Sequence, residues 1–166
     1  MSDARKILVT GASGYVGGRL VTALLADNAK VRVFVRDANK AASHTWAGDV
    51  EISVGNASDY QSTLNALTGV HTAFYLLHSI NLGPNFDEIE SAMARNFAKA
   101  AQVAGVSQII YLGGINNDAK TSKHLTSRAN TGKELATTTV PVMELRAGII
   151  IGSGSASFEM LRHLTH

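Results

Sequence analysis

Residues 9–18 read VTGASGYVGG, with Gly11, Gly14 and Gly17 three apart directly behind the apolar run Ile7-Leu8-Val9. The run reads as a buried strand, and Val16, Leu20 and Leu24 follow at helical spacing with Val21 and Leu25 beside them. The glycines therefore stand where a strand hands over to a helix. A tight turn there needs positive φ or close backbone approach, and glycine permits both. A helix starting near Gly14 turns its unsatisfied N–H groups and its positive dipole end outward. A diphosphate suits that place, because backbone donors meet its charge and no side chain intervenes. Ser13 and Tyr15 add hydroxyl donors, and Val16-Gly17-Gly18 is slim enough to pack close to the strand. Glycines can also make a bare turn. The strand before them and the amphipathic helix after them favour a dinucleotide.

Working outward, β-branched runs alternate with helical patterns. Strands are expected at Ile7 to Thr10, Lys30 to Arg36, Val50 to Val54, Thr72 to Leu77, Gln108 to Leu112 and Val142 to Arg146. Between them lie a short polar helix from Ala38 to Ala42 and a helix capped at Ser58-Asp59 that carries Leu64 and Leu67. The clearest helix has Ile89, Met93, Phe97 and Ala101 along one face and ends at Gly105. A weaker one runs from about Thr121 to Thr137, and a last helical start comes at Phe158. Repeated alternation predicts an α/β fold, a doubly wound parallel sheet of order 3-2-1-4-5-6, with its ligand crevice at the carboxyl ends of the strands. One domain spanning residues 1–166 is expected. The final SFEMLRHLTH breaks off inside a helical pattern, which reads as a truncated chain.

Composition narrows the function classes. The 166 residues are 45% hydrophobic and 17% charged, enough for one sizeable core. The net charge of +2 is scattered, which speaks against nucleic acid as a partner. With no cysteine there is no disulfide or thiolate metal site, and the six histidines form no HxxxH pattern, so no metal is expected. No apolar run approaches the roughly 20 residues of a membrane span. MSDARK reaches a strand at once and leaves no signal peptide, so a cytoplasmic protein is expected.

TGASGYVGG has GxxGxxG spacing and resembles the glycine motif of the short-chain dehydrogenase/reductase superfamily, in its extended and atypical branches. VRVFVRD and IIYLGG are similar to the atypical members grouped with the NmrA-like and nucleoside-diphosphate-sugar epimerase-like proteins, and the resemblance runs from Lys6 to about Ser155. It implies an NAD(P)-binding Rossmann fold. It also implies a C-terminal region completing the substrate pocket, most of which this chain lacks.

Cofactor choice turns on the end of the second strand, where a carboxylate binds a ribose 2′-OH and an Arg accommodates a 2′-phosphate. Val35 stands where NAD-preferring relatives carry the acid, and Arg36 suits a phosphate, so NADP is expected over NAD. The alternative gives the ribose to Asp37. VGNASD resembles the family's VGDLxD, which assigns Asn56 and Ala57 to the adenine. Leu76, Leu77 and His78 fall where the family runs past the nicotinamide ribose.

Family dehydrogenases use a Ser and a Tyr and Lys in YxxxK spacing, the phenol exchanging a proton that the ammonium makes easier to move. Here Gly113 and Gly114 fall at the Ser position, and HLTSR fills the YxxxK slot with His124 and Arg128. In one reading His124 donates the proton, its unperturbed pKa of about 6.5 suiting neutral pH, and Arg128 binds ribose hydroxyls. The chain would then act as an oxidoreductase or epimerase-like enzyme on a small carbonyl or sugar-type molecule. In the other it is a non-catalytic NAD(P) sensor of the NmrA type. Ser122, Thr126 and Ser127 offer further hydroxyls. The helices Ile89 to Ala104 and Thr121 to Thr137 suit a homodimer interface, as in many relatives.

Overall fold

A computed structural model describes residues 5–78, 85–115, 122–155, 158–159 and 162–163. Six strands, β1 (Ile7–Thr10), β2 (Val31–Val35), β3 (Glu51–Val54), β4 (Thr72–Tyr75), β5 (Gln108–Gly114) and β6 (Val142–Ala147), make one sheet of order β3-β2-β1-β4-β5-β6. Every pairing is parallel. The helices are α1 (Tyr15–Ala26), α2 (Ala38–Ala42), α3 (Tyr60–Leu67), α4 (Phe86–Val103) and α5 (Lys123–Leu135). This is the doubly wound Rossmann-type arrangement that the alternation predicts. Thr121 and part of the last helical pattern lie outside the described residues.

Alternation along the strands divides the interior. Leu8, Phe34, Ala73, Tyr75, Ile109 and Tyr111 pack with residues of α3, α4 and α5. Val9, Val31, Val33 and Val35 turn to the other face and pack with α1, Ala41 and Trp46. The central strand is sealed on both faces, as parallel strands between helical layers are, with Leu8 and Val9 fully buried.

The ends of β2, β3 and β6 move by one residue from the sequence pattern, and those of β4 and β5 by two. The apolar pattern carries β4 to Leu77, yet the ladder stops at Tyr75. The cause is Thr10: its hydroxyl donates to Phe74 O at 3.0 Å and accepts from Leu76 N at 2.9 Å. That hydroxyl replaces a ladder partner, so the chain leaves the sheet there. β5 continues past Leu112 through Gly113 and Gly114, which pair with Arg146 and Ala147. A β-carbon at Gly113 would run into the Glu144 carboxylate, and one at Gly114 would lie 2.9 Å from Leu125 Cδ2. Glycine lets these side chains cross the strand.

Helix starts divide by their caps. Asp37, Asp59 and Ser122 cap α2, α3 and α5 through their side chains. At α1 the N-cap is Gly14, which offers no side-chain acceptor. Asn85 at the head of α4 likewise makes no side-chain cap.

Candidate functional site

The glycine turn is built by steric necessity at two positions. Gly11 has φ +65°, and a β-carbon there would lie 2.8 Å from Leu76 O. Gly17 is the contact between α1 and the turn: a β-carbon would lie 2.8 Å from the Gly11 carbonyl carbon, 2.9 Å from Ala12 Cα and closer still to Gly11 O. Gly14 N donates to Gly11 O at 2.9 Å and closes the turn. The result is a cradle with backbone on every side and a helix N-terminus at its base.

That cradle opens into a cavity of about 630 Å³ at the carboxyl ends of β1, β2, β3 and β4. Gly11, Ser13, Gly14, Arg36, Asn56, Ala57, Leu76, Leu77 and His78, all singled out by sequence, line it. Tyr15, Val16 and Gly17 do not. Gly17 works from behind, by letting the helix close on the turn. The Tyr15 ring carries the Arg19 guanidinium 3.8 Å above it, and its hydroxyl abuts Gly152. Arg19 Nη2 also donates to Ser153 O at 3.0 Å, so the loop after β6 is tied to the start of α1. Sequence reasoning missed the apolar floor, Phe34, Ile89 and Met93. The period of α4 already carried Ile89 and Met93, but as core residues alone.

Two side chains near the second strand have separate tasks. Asp37 Oδ1 accepts from Asn39 N at 2.9 Å and Lys40 N at 3.2 Å, which commits it to the start of α2. Arg36 is exposed at the cavity wall with no hydrogen bond or ion pair among the described residues. Asn56 Oδ1 accepts from Ser58 N at 3.0 Å and keeps a second lone pair for a further donor.

At the inner end of the cavity, Arg128 Nη2 donates to His78 Nε2 at 2.6 Å. An arginine is always charged, so His78 accepts as neutral imidazole with its proton on Nδ1. Burial, and secondarily the Arg128 charge, push its pKa down to about 4. Tyr111 donates from its hydroxyl to Arg128 O at 2.9 Å, and burial chiefly pushes its phenol up to about 12. This phenol fixes α5 and holds its proton. His124, one turn before Arg128, is exposed and stacks on Phe86 at 4.7 Å between ring centres. It lines neither this cavity nor the next.

The neighbouring hydroxyls serve the helix itself. Ser122 Oγ caps Leu125 N at 3.4 Å, and Thr126 Oγ1 donates to Ser122 O at 3.3 Å. Ser127 is 1% exposed and donates to the buried Glu90 carboxylate of α4, joining the two helices. Beyond Arg128 lies a second cavity of about 460 Å³, walled by Gly113, Ile115, Leu125 and Ala147 to Ile150. Among the described residues no three His, Asp or Glu side chains gather as metal ligands, and no helix is long and apolar enough to cross a membrane.

Comparison with known proteins adds the following. The NmrA-like family model matches residues 3–130. The chain is 34% identical over 130 residues to sterol demethylase protein B of Methylococcus capsulatus, covering 72% of this chain and 39% of that protein. It is 31% identical over 120 residues to the 3-beta-hydroxysteroid dehydrogenase of Mycolicibacterium neoaurum, covering 66% and 32%. Among solved structures, Citrobacter sp. triphenylmethane reductase complexed with NADP(H) superposes with a TM-score of 0.78 at 26% identity, over 96% of this chain and 54% of that one. The match thus spans only 39% and 32% of the length of these two curated relatives.

Proposed function

The chain belongs to the NmrA-like family, and we propose that it binds NADP, or NAD less tightly, as the cofactor site of an oxidoreductase acting on a small carbonyl compound. The observation that carries this reading is the glycine cradle at the uncapped start of α1, opening into a dinucleotide-sized cavity whose wall includes Arg36, a side chain with no partner among the described residues. These residues fit the cofactor. First-turn amides with Ser13 would hold the diphosphate, Arg36 would take the 2′-phosphate, Asn56 and Ala57 would meet the adenine, and Leu76 to His78 would border the nicotinamide ribose. The triphenylmethane reductase complex with NADP(H) supports the same choice.

When bound, the nicotinamide supplies or takes up a hydride. The chain's own side chains orient the reactants and move the proton. Arg128, whose guanidinium meets His78 and whose backbone carbonyl accepts from Tyr111, would set a positive charge where the cleft adjoins the second cavity, at a carbonyl oxygen that gains negative charge during reduction. The proton on the carbonyl oxygen would come from His124, whose ring would have to leave Phe86 to reach the cleft.

One observation favours a second reading. His124 rests on Phe86 away from both cavities, which suits a non-catalytic NAD(P) sensor. NADPH oxidation against a panel of ketones and quinones separates the two. Turnover that falls at least tenfold in His124→Ala supports the enzyme; binding of NADPH without turnover, indifferent to that substitution, supports the sensor.

A further inference from the structure

The sheet ends differently at its two edges. β3 is four residues long, and its Glu51 is engaged by Lys6 and Arg32. β6, at the other edge, keeps unbroken register with β5 from Val142 to Ala147 and contains neither Lys nor Pro, the residues that most often keep an edge from pairing. Its two charges are of opposite sign, and Arg146 meets Glu144 within the strand at 3.0 Å.

The bonds on the inner side of β6 show which groups its outer side offers. Pro141 O and Ala147 O accept from Ile109 N and Ile115 N at 2.9 and 3.1 Å. Backbone groups alternate sides along a strand, so Met143 and Leu145 also face β5, while Val142, Glu144 and Arg146 turn their N–H and C=O outward. Side chains alternate between faces as well. Val142 packs on the α5 side and Glu144 lies over Gly113 there, which puts Arg146 on that face too. Met143 and Leu145 take the opposite face, 49% and 50% exposed, in register with Ile110 and Leu112 of β5. Neither half of the core includes any of these apolar side chains.

A two-fold axis perpendicular to the sheet brings a second copy's β6 to this edge in antiparallel sense. Centred on Glu144 or on Arg146, the axis sets like charges directly opposite, which is destabilising. Of the centres on the strand, Leu145 alone sets Glu144 opposite Arg146 of the second copy, twice by symmetry. Their outward N–H and C=O groups then close hydrogen-bonded pairs. On the other face Leu145 meets Leu145 of the second copy, and Met143 meets Ala147. Charges, backbone donors and apolar side chains agree on one register.

We propose that the outer edge of β6 is a homodimer interface, at which two copies join antiparallel about Leu145 and extend one sheet through both. The interface lies on the sheet edge rather than on α4 and α5, and the cleft at β1 to β4 stays outside it.

Sedimentation velocity of the full chain from about 1 µM to about 1 mM covers the affinities of small interfaces and is expected to show monomer passing to dimer. Leu145→Lys places two ammonium groups on the axis, and Arg146→Glu places carboxylates opposite Glu144. Each should raise the dissociation constant at least about tenfold, since symmetry doubles the change, with urea unfolding confirming that both variants fold. The chain has no cysteine, so introduced ones report the register. Leu145→Cys should form a covalent dimer on mild oxidation, because Cα atoms of a non-hydrogen-bonded pair lie about 4.5 Å apart, within disulfide reach. Met143→Cys, exposed to the same degree, should not, since Ala147 lies opposite. A monomer throughout that range, a dimer indifferent to Leu145→Lys and Arg146→Glu, as pairing through α4 and α5 would give, or equal cross-linking of the two cysteine variants would each overturn the proposal.

Discussion

Gly17 and Gly18 are adjacent glycines in the first turn of one helix, and alanine should act on them with opposite sign. A β-carbon at Gly17 would stand 2.8 Å from the Gly11 carbonyl carbon and 2.9 Å from Ala12 Cα, both backbone atoms. Ordinary carbon contacts lie at about 3.5–4.0 Å, so α1 must retreat by roughly 1 Å. Overpacking of this kind costs about 1–3 kcal/mol, against a gain of about 1 kcal/mol from replacing a helical glycine. The net effect is a loss of up to about 2 kcal/mol. A retreat of roughly 1 Å also stretches the first-turn amides beyond hydrogen-bond range of a diphosphate. At about 1.5–3 kcal/mol per bond to a charged group, losing two weakens NADPH binding by about 100-fold or more. At Gly18 the same β-carbon meets Ala12 O at 3.4 Å and Trp46 Nε1 at 3.9 Å, which are tolerable contacts. Gly18→Ala should stabilise the fold by up to about 1 kcal/mol and leave affinity unchanged. Urea unfolding and calorimetric NADPH titration of the two variants read both quantities. Wild-type affinity in Gly17→Ala, or equal damage at the two positions, would refute the close-approach reasoning.

His78 makes stability depend on acid. Its pKa lies near 4 when folded, against about 6.5 in an unfolded chain, so the unfolded state binds the extra proton first as pH falls. Its contribution, of order 3 kcal/mol, is complete above about pH 6.5 and is lost progressively toward pH 4; urea unfolding at stepped pH should show that loss in the wild type and a smaller one in His78→Gln. Arg36→Ala should weaken NADPH by roughly tenfold or more while leaving NADH nearly unchanged, measured by calorimetry. Asp37→Ala should cost about 1 kcal/mol through the lost cap of α2 and leave NADH affinity within about threefold, because that carboxylate already serves Asn39 and Lys40. Thr10→Val keeps the shape but strips Leu76 N of its acceptor and Phe74 O of its donor, and should destabilise by about 1–3 kcal/mol in urea.

What the sequence disclosed and what it withheld have physical reasons. Strands such as Ile7–Thr10 and Val31–Val35, and the Met93, Phe97 and Ala101 face of α4, are written in local periodicity, which burial enforces residue by residue. The positive φ of Gly11 and the contact of Gly17 with Gly11 and Ala12 are equally local, whereas the approach of Leu76 O to Gly11 comes from 65 residues away. The partnership of His78 with Arg128 joins residues 50 apart, and that of Glu90 with Ser127 joins residues 37 apart. No spacing rule encodes such meetings, which exist because β4, α4 and α5 converge at one end of the sheet. The end of β4 was withheld for a similar reason. Leu76 and Leu77 prolong an apolar run, and a hydroxyl from β1 takes the amide that would have continued the ladder. Ser122 did leave a signal: a serine at the head of a polar helical run is a cap before it is a catalytic hydroxyl.

The most direct measurement follows the backbone amides of a ¹⁵N-labelled chain while NADPH, and separately inorganic pyrophosphate, is added. We expect the largest shifts at Ser13, Gly14, Tyr15 and Val16 with both ligands, joined by Arg36 and the Asn56–Ser58 amides with NADPH alone. Amides at the head of α1 that stay still at millimolar NADPH, or shifts confined to another part of the sheet, would contradict a diphosphate held by that helix end.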